Sequence, residues 1–529
     1  MDARTKRLTL LACILGSTIV MVDSSVVAIA LPQIRSELGG GLAGQQWVSN
    51  AYLLTLGSLL LVGGALADIY GTRRIFATGV AGFGATSLLC AAAPTIGVLL
   101  VGRALQGAFG ALLTPAALAM IVAVFEQRER SRAIGAWTAW SGIGVAIGPL
   151  VGGWLIDTAS WRWIFAINLP LVALTIALVV GVVPRAGERR RSRLDVPGAV
   201  LCAAGLTGVS FGLIHQPAAG WGATSVVVPL AAGAGTLAAF LAHERATTHP
   251  MLPLDLFARR NFALGNVETL AVYAALAVLF FYLVIYLQQV AGYSALKAGL
   301  ATIPVTLVML ALAARFGALA DRIGPRALMG GGPIVSALGV LALTRVDATV
   351  SYFGELLPAI GVFALGLAMT VAPLTATVLA DAEQRNAGIA SGVNNAVARV
   401  AALIGIAAVG LAIAAGFAGD LDERLAGRAL TPAARAAASA AKASPLTRPD
   451  LGSLPARQRE LIDVAVSEAS IAGFRRGMSI AAVLLLVGGL LGAIGIRNPR
   501  RAVAARECPG GQLVGWPGPA AQGEGADGP

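Results

Sequence analysis

Charge is what this chain has least of. Asp, Glu, Lys and Arg make up 12% of its 529 residues, against roughly 25% in an average soluble domain. No water-soluble fold could cover so much apolar side chain, because surface-to-volume scaling leaves many positions facing solvent. Aromatic residues are 6%, and there are only three His and four Cys. His215, His243 and His249 lie near the ends of apolar runs and form no cluster for metal or acid–base chemistry. Cys13, Cys90, Cys202 and Cys508 are scattered without CxxC or zinc spacing, so neither a disulfide framework nor a metal site is expected. No G-x4-G-K-[ST] loop is present, which argues against ATP as fuel, and no HExxH or GxSxG is placed for catalysis. Neither an enzyme nor a bound cofactor is expected.

What fills the chain is apolar: 57% hydrophobic residues, 65 Gly and a mean hydropathy of +0.78. That excludes a globular cytosolic enzyme, a disordered chain and a fibrous repeat, and points to an all-α polytopic membrane protein in contact with the lipid bilayer. Fourteen runs are long enough for a helix of about 20 residues across a bilayer. They cover about 8–31, 47–67, 75–94, 97–121, 133–156, 163–183, 197–215, 224–242, 262–288, 298–320, 326–344, 353–379, 388–417 and 477–496. They do not alternate as β-barrel strands do.

The net charge of +12 could suggest nucleic acid, but the Arg residues cluster between the runs, as cytoplasmic loops have them. With the N-terminus inside, clusters such as Arg73–Arg74 and Arg189–Arg191 face the cytosol. The short external loops then hold only Arg35, Arg162, Lys297 and Arg345. A multi-pass protein of the inner (plasma) membrane with both termini cytoplasmic is expected, and no nucleic-acid partner.

Two segments match column by column: Gly64–Arg73 (GALADIYGTR) and Gly317–Arg326 (GALADRIGPR). Each follows the second run of its half and leads into the third. The simplest division is a six-helix half (1–195), two inserted helices (196–245), and a second six-helix half (246–497). That second half carries an external loop, 418–472, whose Ala/Arg-rich stretch suits a short helix. A disordered cytoplasmic tail (498–529) follows. Parallel halves with a binding site between them are a transporter architecture.

These segments resemble the G-x-L-a-D-x-x-G-r-[RK] loop motif of the major facilitator superfamily. The fourth run, with Leu99-x3-Arg103-x2-Gln106-Gly107, is similar to a further motif of that superfamily. The fifth run, with Gly144-x3-Gly148-Pro149-x2-Gly152-Gly153, resembles its antiporter motif. Val22–Pro32, Trp161–Pro170 and Ala390–Asn395 look like signatures of its fourteen-span drug:proton antiporters (EmrB/QacA-like). The resemblance covers nearly all of 8–497. It implies export of amphipathic or lipophilic drugs or antibiotics in exchange for protons, by alternating access. A dedicated exporter of one natural product, siderophore or lipid-like metabolite is the alternative. The expected partners are a small-molecule drug or metabolite and protons, and the expected functional unit is a monomer.

Individual residues sharpen this. Asp23 lies roughly 12 Å and Arg103 roughly 9 Å below the outer ends of their runs at 1.5 Å per residue, so an ion pair is possible. Ionisable groups inside a membrane are costly and usually functional. A proton competing with Arg103 for the Asp23 carboxylate would couple transport, and the resemblance implies coupling roles for both. Glu268, about 9 Å into its run from the cytosol, is the second proton-coupling candidate; the plainer reading is snorkelling to the interface.

Gln106, Tyr282, Asn394 and Arg399 are the candidates for a substrate cavity. Arg399 can pair with an acid, bind an anionic group or hold helices together. Tyr282 and its aromatic neighbours suit either a cavity wall or an interfacial belt. Gly64, Asp68, Gly71, Arg73 and their counterparts Gly317, Asp321, Gly324, Arg326 read as conformational locks, with Asp capping a helix or pairing with Arg across the loop. Gly144, Gly148 and Gly152 permit close helix packing, and Pro149 permits bending.

Overall fold

The computed structural model describes residues 2–183, 195–248, 250, 252–380, 387–442, 445–446, 449, 451–452 and 454–498. Among them all regular structure is helical. The first group of helices is α1 (Ala3–Leu38), α2 (Gly41–Tyr70), α3 (Thr72–Ala91), α4 (Ile96–Val124), α5 (Gln127–Thr158), α6 (Trp163–Ala166) and α7 (Asn168–Gly181). A hairpin follows, α8 (Val196–Ala219) and α9 (Thr224–Ala246). The second group is α10 (Arg260–Gln289), α11 (Ala295–Ile323), α12 (Pro325–Ala342), α13 (Leu357–Ala380), α14 (Ala387–Leu425), α15 (Pro432–Lys442) and α16 (Ala456–Gly495).

Among the described residues, twelve helical segments are long and apolar enough to cross a membrane. The expected sixth run is split, α6 and α7 meeting at Ile167, which itself keeps right-handed helical angles. The second and fifth expected runs fall on α2 and α5, helices of 30 and 32 residues that are not among those twelve. The tail 499–529 lies outside the described residues.

The repeated segments sit in like surroundings. Gly71 and Gly324 end α2 and α11 with φ of 94° and 89°, a region open to Gly but costly to residues with a Cβ. Gly64 faces Pro115 of α4, and Gly317 faces Ala372 of α13. Arg73 donates to the carbonyls of Val179 (3.1 Å) and Val180 (2.8 Å) in the last turn of α7. Arg326 donates likewise to Ala493 in the last turn of α16. Cations there satisfy carbonyls that have no intrahelical donor. The guanidinium of Arg73 thus caps a neighbouring helix, and the expected pairing of Arg with Asp across the loop involves residues that are not described. The side chains of Asp68 and Asp321 lie outside the described set.

Two ends of the bundle can be distinguished. At the terminal end, Lys6 reaches Glu126 and Glu129, and Arg260 donates to the carbonyl of Gly495 at 2.7 Å. At the far end the two groups close on each other. Gln288 donates to the carbonyl of Ile29 at 2.9 Å. Asp157 accepts the N–H groups of Ala295 and Leu296, at 3.0 and 2.9 Å, capping α11 from α5. A side chain at Gly153 would strike Leu296, and one at Gly299 the carbonyl of Pro149. Along α11, Ala295, Ala298, Ala301 and Val305 are buried, whereas nothing from Thr306 to Leu319 is. The bundle is closed at the far end and loosens toward the terminal end.

The α8–α9 hairpin packs through Gly208 and Gly233, and lies against α2 and α14 through Leu206, Leu54 and Leu403. The segment expected as loop 418–472 is largely helical. α14 and α16 run 39 and 40 residues, about 60 Å at 1.5 Å per residue, twice a hydrocarbon core of about 30 Å. Their extensions and α15 enclose a small core of Phe417, Leu421, Ala434, Ile462 and Val466. The Ala/Arg-rich stretch does form a short helix, and what was expected as a loop is a folded cap.

Candidate functional site

Asp23 is fully buried, and the residues around it come from α1, α3, α4 and the α6–α7 corner. The small residues of α5 bring α1 into place. Gly144 packs against Thr18 and Val22, and side chains at Gly148 and Gly152 would collide with Ser25 and Val26. Arg103 of α4 donates through Nη1 to Asp23 Oδ2 and to Gln106 Oε1, both at 2.6 Å, and through Nε to the carbonyl of Val48 at 3.1 Å. Gln106 Nε2 donates to Asp23 Oδ1 (3.0 Å) and to Ser87 (2.9 Å). Asn168 reaches Asp23 Oδ1 at 3.4 Å. The guanidinium lies over the Tyr52 ring, 4.3 Å from its centroid. Burying two charges costs several kcal/mol each, and only near-complete pairing and hydrogen bonding offset that. Both carboxylate oxygens of Asp23 are bonded here.

The expected Asp23–Arg103 contact is present, and Gln106 belongs to it rather than lining an open cavity. Asn168, Ser87 and Tyr52 join it without having been among the expected site residues. Asn168 stands in the Trp161–Pro170 signature, which was a signal; Ser87 is one of several small polar residues in an apolar helix and carried none.

Glu268 is not brought near Asp23. It is wholly buried on α10 against Gly488 and Gly492 of α16, and neither of its carboxylate oxygens has a hydrogen-bond partner among the described residues. It does not snorkel to an interface. Leaving a buried polar group unbonded is costly, and more so for a charged one.

Tyr282 lies in the closed seam between the groups. Its hydroxyl donates to the carbonyl of Ile406 (2.7 Å) and accepts from Gln46 Nε2 (3.0 Å), which also reaches Ile406 (3.0 Å). Phe281 and Tyr286 are buried as well, Tyr286 stacking on Phe474 at 4.1 Å, so these aromatics form no lipid-facing belt. Asn394 donates to Asn266 (3.2 Å) and Thr269 (2.8 Å) and ties α14 to α10. Arg399, one turn further along α14, is half-buried with its Cβ against Gly57 of α2. Among the described residues it makes no hydrogen bond or ion pair. No cluster of three or more His, Cys, Asp or Glu suited to a metal occurs among the described residues.

The site is thus a bonded ion pair inside the apolar core of an all-helical bundle. Residues 13–406 match the sequence profile of the Major Facilitator Superfamily. The chain is 38% identical to the puromycin resistance protein pur8 of Streptomyces alboniger, over 75% of this chain and 80% of that one. It is 33% identical to the tetracenomycin C resistance and export protein of Streptomyces glaucescens, over 90% and 89%. It is likewise 33% identical to the multidrug resistance protein Stp of Mycobacterium tuberculosis, over 80% and 78%. In fold it is similar to an inward-facing, unoccupied bacterial homolog of the human lysosomal transporter Spinster. The TM-score is 0.65 at 17% identity, covering 94% of this chain and 98% of that one. The chain belongs to the major facilitator superfamily, a family of transporters and not of enzymes.

Proposed function

We propose that the protein is a proton-coupled exporter of amphipathic or lipophilic drugs or antibiotics. It would sit in the plasma membrane with fourteen spans, α1–α7 and α10–α16 as two halves, α8–α9 inserted, and both termini in the cytosol. The observation that carries the reading is the Asp23–Arg103–Gln106 cluster, buried in a chain whose relatives are named for antibiotic resistance and export. A proton on Asp23 removes the charge that holds Arg103 and weakens the tie between α1 and α4. Ile29, whose carbonyl joins α1 to α10, is six residues further along α1, roughly 9 Å away. Loosening α1 therefore reaches the seam that closes the far end. The residues that close this seam and the exposed half of α11 support an inward-facing state. Glu268 is the second proton-coupling candidate, on the strength of its unbonded carboxylate.

The test uses everted vesicles with an acidic interior, a panel of lipophilic dyes and drugs, and Asp23→Asn as control. Accumulation with proton release, lost in the variant, is the expected result. Full proton-driven accumulation by Asp23→Asn would overturn the coupling role. A dedicated exporter of one natural product is the second reading, favoured by relatives named for single antibiotics. Movement of one chemotype alone would select it.

A further inference from the structure

Only two acids of the sequence lie deep within the membrane-spanning runs: Asp23 and Glu268. Asp23 is bonded to Arg103. Glu268 is sealed against α16. Arg399 thus stands in the bundle without a counter-charge among the described residues. It lies 12 residues from the start of α14, roughly 18 Å along the helix and near the middle of the bundle. Its surroundings come from both groups: its Cβ packs on Gly57 of α2, and α10 runs beside α14 at this level, bonded through Asn394 to Asn266 and Thr269 and touching Gly405 through Ala274. On α10, Tyr273, Ala277 and Phe280 form a half-buried stripe at helical spacing that continues the exposed Val267 and Leu270. An unpaired cation beside an aromatic stripe, at a junction of the two groups, is a receptor for a molecule with one anionic end and one apolar body. A guanidinium offers its donors in a fork that matches a carboxylate.

Resting on the exporter reading above, we infer that Arg399 is the anion-recognising group of the substrate site. The preferred cargo is an amphipathic organic anion, not a lipophilic cation. The alternative role, a strut between helices, would need a hydrogen bond from Arg399 to α2 or α10, and among the described residues it makes none.

The experiment compares fluorescein, an anion, with rhodamine 6G, a cation built on the same ring system, in everted vesicles with an acidic interior. Uptake is read by filtration over protein-free vesicles. The wild type is expected to accumulate fluorescein in preference to rhodamine 6G. Arg399→Gln should lower fluorescein uptake about tenfold or more, the loss expected of one charge-assisted hydrogen bond, and leave rhodamine 6G unchanged or improved. Arg399→Lys should retain part of the fluorescein uptake. Wild-type preference for rhodamine 6G, or fluorescein uptake unaltered in Arg399→Gln, overturns the anion site and leaves export standing. If Arg399→Gln does not insert, Arg399→Lys decides: loss specific to fluorescein supports the site, equal loss of both dyes overturns it. If inserted wild type moves neither dye, the broad export reading falls. Thermal shift of the purified protein with fluorescein then decides the site alone, a shift lost in the Arg399 variant supporting it and any other pattern overturning it.

Discussion

Arg103 grips Asp23 through the same nitrogen that binds Gln106, while Gln106 returns a hydrogen bond to the other oxygen of Asp23. The three side chains form a closed ring inside the first helix group, and each depends on the other two. Removing one charge of a buried pair strands the other, at a cost of about 3–5 kcal/mol. Asp23→Asn is therefore expected to lower the thermal midpoint of the purified protein markedly. Asp23→Asn with Arg103→Gln should recover most of that stability while transport stays lost. A double variant as unstable as the single one would mean that the pair is not what holds α1 to α4.

The far-end seam leaves no room for added atoms. Gly153 and Gly299 sit where α5 and α11 cross. Gly153→Ala or Gly299→Ala should push the helices apart and favour an outward-open state. A cysteine at Gln33, in a background without native cysteines, should then react faster with an impermeant maleimide added outside. An unchanged rate would show that the crossing does not gate that end.

Arg73 and Arg326 do the same work in the two repeats. Hydrogen bonds to a charged group contribute about 1.5–3 kcal/mol. Arg73→Ala and Arg326→Ala should each lower thermal stability by an amount of that order, and the double variant by close to the sum, since the sites are far apart. Arg73→Lys, which cannot hold two carbonyls in the same planar fork, should recover only part.

The cap over α14 and α16 has its own small core. Ile462→Asp buries a charge among Phe417, Leu421 and Ala434, which is costly without a partner. Amide exchange should rise in α15, in α14 after residue 418 and in α16 before residue 472, with exchange inside the bundle unaltered. Equal loosening of both would mean that cap and bundle unfold as one unit.

Much of this was legible from residue order. The apolar runs found the helices because a lipid-facing span must be about 20 residues long and nearly free of charge. The repeated GALAD segments marked two turns that need Gly at positive φ. Asp23 and Arg103 stood out because charges are rare inside membranes, and their depths agreed. The cap was read as a loop because its charged surface breaks the apolar pattern that marks a span, while its helices need only one buried stripe. Tyr282 and Asn394 were expected at a cavity; Tyr282 bonds across the seam, and Asn394 ties α14 to α10 within the second group. Residue type shows that a side chain can hydrogen-bond, and only packing shows to what.

By itself, the order of residues determined that the chain is a helical membrane protein of repeated design with an acid and a base inside it. These properties follow from composition and periodicity, which act locally along the chain. The tertiary structure decided that Arg103 binds Asp23 and Gln106 together, that Asn168 completes the shell, that Glu268 packs against α16, and that Arg399, where the groups meet, has no partner among the described residues. Those are distances between residues far apart in the chain. They are set by which glycines let which helices approach, and no local pattern encodes them.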